Sequence, residues 1–215
     1  MYNILVVSAY PERQEKYDHN YTIIPAIWWE DITDNQLKPY HFYHNAHKQH
    51  KQKVVACSLS HKKAIQHIID NDLTNTIIIE DDAIVDLNRL DELKDYTEFT
   101  YIGGDIRPPL LKDDKKFDKL MIIKNTGLNI IDTDKFRILG AFGYYIPNIS
   151  TAQMIINSLP SNNKEKVYDV ELCKLQKRKL IKYYHYPPLS KLYMKDALTG
   201  FNAKAMKLND DFSHY

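Results

Sequence analysis

Cysteine is scarce. Two residues, Cys57 and Cys173, stand far apart in 215 positions with no paired spacing, which argues against a zinc cluster or a disulfide framework. Both are expected as small buried side chains. Excess charge of one sign is missing as well: 29 basic and 28 acidic residues leave a formal charge of +1, too weak a field for bulk nucleic-acid binding. No apolar stretch approaches the roughly 20 residues of a membrane span. The opening segment Met1 to Tyr10 has no basic leader and reads as a strand rather than a signal peptide. Neither a Gly-x-x-x-x-Gly-Lys loop nor a Rossmann fingerprint occurs. Internal repeats and low-complexity linkers are absent too. These absences leave an expectation of a soluble, cytoplasmic chain folded as one domain over residues 1–215, or of one domain of a longer protein.

What is present is an ordinary globular composition, 44% hydrophobic and 27% charged. A chain of this length buries about 70% of its unfolded surface, enough for a core without staples. Tyrosine is abundant at 16 residues; ring-plus-hydroxyl side chains suit both interior packing and stacking on bases and sugars.

Along the chain, Asn3 to Val7 is apolar and β-branched, then broken by Ser8-Ala9-Tyr10-Pro11. Tyr21 to Ile24 predicts a second strand, and residues 30 to 53 a polar surface excursion. A helix is expected from a cap at Ser58 or Ser60, with Ala64, Ile65, Ile68 and Ile69 on one face. Thr76 to Ile79 reads as a strand buried on both faces. A helix carrying Leu87, Leu90 and Leu93 follows, then a strand from Phe99 to Ile102 that stops at Gly103-Gly104-Asp105. Residues 107 to 119 form a loop. Leu120 to Ile123 and Leu128 to Ile131 flank a hairpin turn. Ala141 to Ile146 is a strand, Ser150 caps a helix to Leu159, Asp169 opens another to about Leu180, and Ile181 to Tyr186 is a last strand. Strands alternating with helices predict the α/β class: a central, mostly parallel, mixed sheet flanked by helices.

The chemical signal is Glu80-Asp81-Asp82 at the end of the most apolar strand. Adjacent carboxylates raise one another's pKa unless a cation neutralises them. The carboxyl edge of an open α/β sheet is where ligands bind. Strand alternation puts Glu80 and Asp82 on one side and Asp81 on the other. Two oxygens on one side suit Mn²⁺ or Mg²⁺ held together with substrate phosphates. An exposed acidic turn is the competing reading.

The run Ala56-Cys57-Ser58-Leu59-Ser60-His61, a helix, and then Ile77-Ile78-Ile79-Glu80-Asp81-Asp82 resembles glycosyltransferase family 25. That family includes lipooligosaccharide and collagen galactosyltransferases. Pro11-Glu12-Arg13, Pro25-Ala26, Gly140 to Ile146, Tyr168-Asp169 and His185-Tyr186-Pro187-Pro188 look like further parts of its pattern. The sequence departs from it where Ala56 replaces a glycine and where Ile27-Trp28-Trp29 replaces an acidic residue. The resemblance implies a GT-A-type nucleotide-sugar transferase fold. It also implies inverting transfer from a UDP-sugar donor to a glycan or glycoprotein acceptor.

On this reading Asp82, Glu80 and His185 are the metal candidates, with Asp82 the foremost direct ligand. Ser8, Ala9, Tyr10 and Arg13 follow the first strand, where a uridine would sit, and Arg13 is placed to pair with phosphate. Ser60, His61, Glu80 and Asp81 complete the nucleotide side. Gly104 and Asp105 are expected beside the donor sugar, and residues 107 to 119 as an acceptor-side lid. Asp169, at a helix start, is the candidate general base, with Glu171 as its substitute. A non-catalytic nucleotide-sugar or carbohydrate-binding module on the same fold is the alternative, and a scaffold protein with an acidic surface turn is a third.

Overall fold

A computed structural model describes residues 1–17, 20–40, 42, 47–109, 124–159 and 168–192. In chain order its strands are β1 (Asn3–Ser8), β2 (Tyr21–Pro25), β3 (Thr76–Glu80), β4 (Ala83–Val85), β5 (Thr100–Tyr101) and β6 (Asp105–Arg107). They continue with β7 (Gly127–Ile130), β8 (Arg137–Leu139), β9 (Gly143–Ile146), β10 (Tyr183–Tyr186) and β11 (Ser190–Leu192). The helices are α1 (Pro11–Gln14), α2 (Asp34–Leu37), α3 (Lys48–Asp70), α4 (Ile149–Ser158) and α5 (Tyr168–Lys177).

Seven strands form one sheet in the order β2-β1-β3-β9-β5-β10-β7. β1, β2, β3, β5 and β10 share a direction, while β9 and β7 oppose it. This is the mixed, mostly parallel α/β sheet that the alternation of elements predicts. β3 lies between β1 and β9, so its isoleucines Ile77, Ile78 and Ile79 are fully buried, as a run apolar on both faces requires.

The two faces are covered differently. On one, Ala64, Ile65 and Ile68 of α3, Ile155 of α4, and Leu172 and Leu175 of α5 pack on Leu5, Ile78 and Tyr144. Ile65 and Ile68 are fully buried, and each contributes about 1.5–3 kcal/mol. That is enough to hold α3 in one register, and α3 carries part of the site. Ile65→Ala would cost about 2–5 kcal/mol and loosen that register. On the other face Ile4, Val6, Ile77, Ile79 and Tyr145 meet Ala83, Val85, Leu93 and Leu189. These come from the β4–β11 ribbon, the 3-10 helix Leu87–Leu93 and the loop before β11. No described helix is long and apolar enough to cross a membrane.

Several local expectations need correction. The helix expected to begin at Ser58 or Ser60 begins at Lys48, because Val55 and Ala56 bury against Ile32 and Tyr40 in a separate small cluster. The polar stretch before it holds good helix formers and no breaker, so tertiary contact extends the helix backward. Ser58 and Ser60, now in mid-helix, bond back to the carbonyls of Val54 and Ala56. Ser150 does not cap α4: Asn148 does, accepting from the Thr151 N–H at 2.9 Å. The helix predicted around Leu87 is of the 3-10 type. Short strands β4, β8 and β11 have too few residues for a periodic signal and were not foreseen. β7 pairs with β10; its expected hairpin partner, residues 120–123, and most of the loop 107–119 lie outside the described residues.

Candidate functional site

The carboxyl ends of β1 and β3 lie side by side, paired in parallel as Val7 with Glu80. β3 stops at Glu80, and the chain turns through Asp81 and Asp82. The three carboxylates then meet three different environments.

Asp81 is buried and fully engaged. Ser8 Oγ donates to its Oδ2 at 2.9 Å, the Ala9 N–H to the same oxygen at 3.2 Å, and Arg13 Nη1 to its Oδ1 at 2.9 Å. Arg13 is as enclosed as Asp81, at 9% and 10% side-chain exposure. Asp81 is thus the anchor of the loop after β1. Arg13, expected on a phosphate, holds Asp81 in this structure and lies over the Tyr10 ring, 4.7 Å from its centre. Tyr10 in turn meets Trp28 edge-on at 5.2 Å. Both rings are half-buried, and they flank the loop where a nucleotide base was expected.

Glu80 faces α3. Its Oε1 lies 3.0 Å from His61 Nε2, and His61 Nδ1 lies 3.0 Å from the Tyr144 hydroxyl. Tyr168 donates to the Tyr144 oxygen at 3.1 Å and stacks flat on His61, with ring centres 4.6 Å apart. Burial holds both phenols well above their ordinary pKa, so they stay protonated. The order Tyr168 to Tyr144 to Nδ1 leaves the Nε2 proton for Glu80. His61 is completely buried. It therefore acts beneath Glu80, fixing that carboxylate's orientation. Ser60 likewise points inward, accepting from the Ile27 N–H at 2.8 Å.

Asp82 is the one left over. Its Oδ1 is buried and has no hydrogen-bond partner among the described residues. Burial first, then the charges of Glu80 and Asp81, push its carboxyl up to about 7, against a smaller opposing pull from Arg13. Orphaned buried acceptors are rare and costly. The oxygen-only donor set of Asp82 and Glu80 fits a hard divalent cation such as Mn²⁺ or Mg²⁺.

Asp169 belongs to the same group. It opens α5, where its Oδ1 accepts from the Val170 N–H at 2.9 Å. Burial raises its pKa and the charge of Glu80 adds to the rise. α5 is set in place by Ser58, whose Oγ accepts the Tyr168 N–H at 3.0 Å. Glu171, two residues further along α5, is buried beside Lys174, 2.5 Å away.

One expected residue lies apart, and two others have structural partners of their own. His185 is on β10, three strand spacings or about 14 Å from β3. It points to the opposite face, with Tyr96 Oη at 2.7 Å and Glu92 Oε2 at 2.9 Å. Both of its ring nitrogens are engaged there. Asp105 pairs with Arg107 at 2.6 Å on β6, alongside β8. Gly104 has φ +137°, and a Cβ there would come within 2.5 Å of Ile138. Its glycine is thus required by the β6–β8 packing whatever else it does.

Sequence reasoning missed Cys57. It is exposed rather than buried, and it sits one helical turn before His61 on α3, which the i, i+4 spacing signalled. Glu80, Asp169 and Asp82 all press its thiol pKa upward, behind the larger effect of burial. Its ligand atom lies within 4.8 Å of those of His61 and Glu80. Tyr144 and Tyr168 were missed as supports because only the folded chain brings them to His61.

The family model described as Glycosyltransferase family 25 (LPS biosynthesis protein) matches residues 10–170. The match covers about three quarters of the chain and includes Glu80, Asp82 and Asp169. No curated protein matches the chain.

Proposed function

The chain belongs to glycosyltransferase family 25, and on that premise we propose that it moves a sugar from a UDP-sugar donor to a hydroxyl of a glycan or glycoprotein acceptor, with inversion. The observation that carries this reading is the unpartnered Asp82 carboxylate, grouped with Glu80 and Asp169 at the carboxyl edge of the sheet. Asp82 and Glu80 would hold Mn²⁺ or Mg²⁺. When bound, that ion supplies Lewis-acid stabilisation of the charge on the departing diphosphate.

The remaining roles fall to the chain. Tyr10 and Trp28 flank the base, on the loop that Asp81 ties down. The Ala9 N–H and Arg13 keep that loop close to β3 through Asp81, so the nucleotide side is pre-shaped. His61 holds Glu80 in one orientation. Asp169 accepts the proton of the acceptor hydroxyl as it attacks the anomeric carbon. Its raised pKa brings it nearer to the operating pH, which suits a general base.

Thermal unfolding with a panel of UDP- and GDP-sugars, with and without Mn²⁺, tests the reading. A Mn²⁺-linked rise in Tm with a UDP-sugar is expected, and its absence for every donor defeats the proposal. Asp169→Asn should keep that rise while transfer falls by about 10²–10⁴-fold. If transfer survives in Asp169→Asn, the base lies elsewhere. A Mn²⁺-linked rise with no transfer by the wild type to any acceptor would mark a binding module.

A further inference from the structure

Cys57 and His61 lie on one face of α3, and the end of β3 brings Glu80 against them. One ligating atom from each of the three lies within 4.8 Å of the others. Among the described residues, no other three histidine, cysteine or acidic side chains converge in this way. A tetrahedral zinc ion with bonds of about 2.0–2.3 Å separates its ligands by roughly 3.3–3.8 Å. His61 Nε2 and Glu80 Oε1, at 3.0 Å, are already near that spacing, and the third edge needs about 1 Å of closure. A rotation of the Cys57 side chain, on an exposed residue, would supply it.

We propose that Cys57, His61 and Glu80 form a Zn²⁺-selective site with an open fourth position, sharing Glu80 with the hard-cation pair Glu80 and Asp82. A thiolate, an imidazole and a carboxylate favour zinc, whereas the all-oxygen pair favours Mn²⁺ or Mg²⁺. The site comes with an outer partner. When Nε2 binds the ion, the His61 proton resides on Nδ1 and donates to the Tyr144 oxygen. The Tyr144 and Tyr168 hydroxyls then rotate to suit, so the chain of bonds reverses without losing a member. The Cys57 thiol releases its proton to solvent as the sulfur–zinc bond forms.

The test uses Co²⁺ as a spectroscopic stand-in and Zn²⁺ measured by competition with a chromophoric chelator, with no donor present. One equivalent of Co²⁺ is expected to give a near-ultraviolet sulfur-to-cobalt charge-transfer band. The other cysteine, Cys173, is buried, so the band reports Cys57. Cys57→Ser, at an accessible position that should not disturb folding, loses the band and binds Zn²⁺ at least about 100-fold more weakly. Tyr144→Phe keeps the band and weakens Zn²⁺ about tenfold, as loss of an outer partner does. No band in the wild type, or equal Zn²⁺ affinity in Cys57→Ser, overturns the site. Sharing of Glu80 rests on the transferase reading and has its own readout: Zn²⁺ should suppress the Mn²⁺-linked, UDP-sugar-dependent rise in Tm. A rise that persists with zinc bound overturns the sharing. If the zinc-free protein shows no Mn²⁺-linked rise at all, the transferase reading falls while the zinc site stands on its band.

Discussion

His61 and His185 are both buried at the ends of strands or beneath them, each with a glutamate at hydrogen-bond distance, 3.0 Å to Glu80 and 2.9 Å to Glu92. Their neighbourhoods differ in charge. Around His185, Arg89 Nε reaches Glu92 Oε1 at 2.6 Å, Arg89 Nη2 reaches the Pro187 carbonyl, and Tyr96 covers the other ring nitrogen. Positive and negative groups there are matched. Around His61, Glu80 is joined by Asp82 and Asp169, and the nearby cation Arg13 is engaged with Asp81. The balanced cluster is complete in itself, whereas the unbalanced one calls for a cation from outside. A buried histidine next to a glutamate therefore says little, and the net charge of its surroundings says much.

The sharpest way to break this contrast is Asp82→Asn. With the orphan carboxylate gone, Mn²⁺-linked donor binding should vanish and transfer fall by roughly 100-fold or more, the several kcal/mol that a bound metal supplies. The same variant should melt higher than the wild type at pH 8 without metal, because a crowded charge has been removed. Loss of activity with a lower metal-free Tm would mean that Asp82 is structural. Asp81→Asn tests the adjacent carboxylate, for which the opposite holds. It breaks an enclosed ion pair and sets an amide NH2 against Arg13, so a denaturant melt should show a loss of about 3 kcal/mol. An unchanged melt would remove Asp81 as the anchor of the β1 loop. His185→Gln should cost a smaller 1–3 kcal/mol or thereabouts, the order of a buried polar group left unsatisfied. Its Mn²⁺-linked rise in Tm should remain intact, and loss of that rise would put His185 back among the ligands.

The smallest effect is a slope with pH. The Asp82 carboxyl is raised in the folded chain from 3.8 to about 7. It therefore favours folding fully below its unfolded pKa, and that contribution fades as pH climbs through about 7. The His185 pKa is lowered by burial, so its contribution is present above its unfolded pKa and fades as pH falls. Subtracting the Asp82→Asn melting curve from that of the wild type isolates the first slope. Without metal the difference should grow against the wild type between about pH 4 and 7, and saturating Mn²⁺ should cancel it. A flat difference would place Asp82 in an ordinary solvated turn.

Much of this was legible beforehand because it depends on nearest neighbours in the chain. Four consecutive buried residues in β3 announce a central strand, and Glu80-Asp81-Asp82 at its end announces crowded carboxylates. The start of α3 was misjudged by about ten residues, since its first turns are held by Ile32 and Tyr40 and not by their own pattern. Tyr183 to Tyr186 reads as a strand, yet nothing in it tells that His185 faces the 3-10 helix rather than Asp82.

By itself, then, the sequence determined the α/β alternation, the identity of the central strand and the presence of an acidic turn. Those follow from local apolar periodicity and from charges that are adjacent along the chain. Only the tertiary structure decided which carboxylate is anchored and which is left with an unpartnered oxygen. Arg13 reaches Asp81 across 68 positions, and Ser58 meets Tyr168 across 110. Those partners are selected by sheet order and helix packing, so no local pattern encodes them. Asp82 stands apart for the same reason: the fold supplies donors to its neighbour on one side and a histidine to Glu80 on the other, and leaves Asp82 Oδ1 without either.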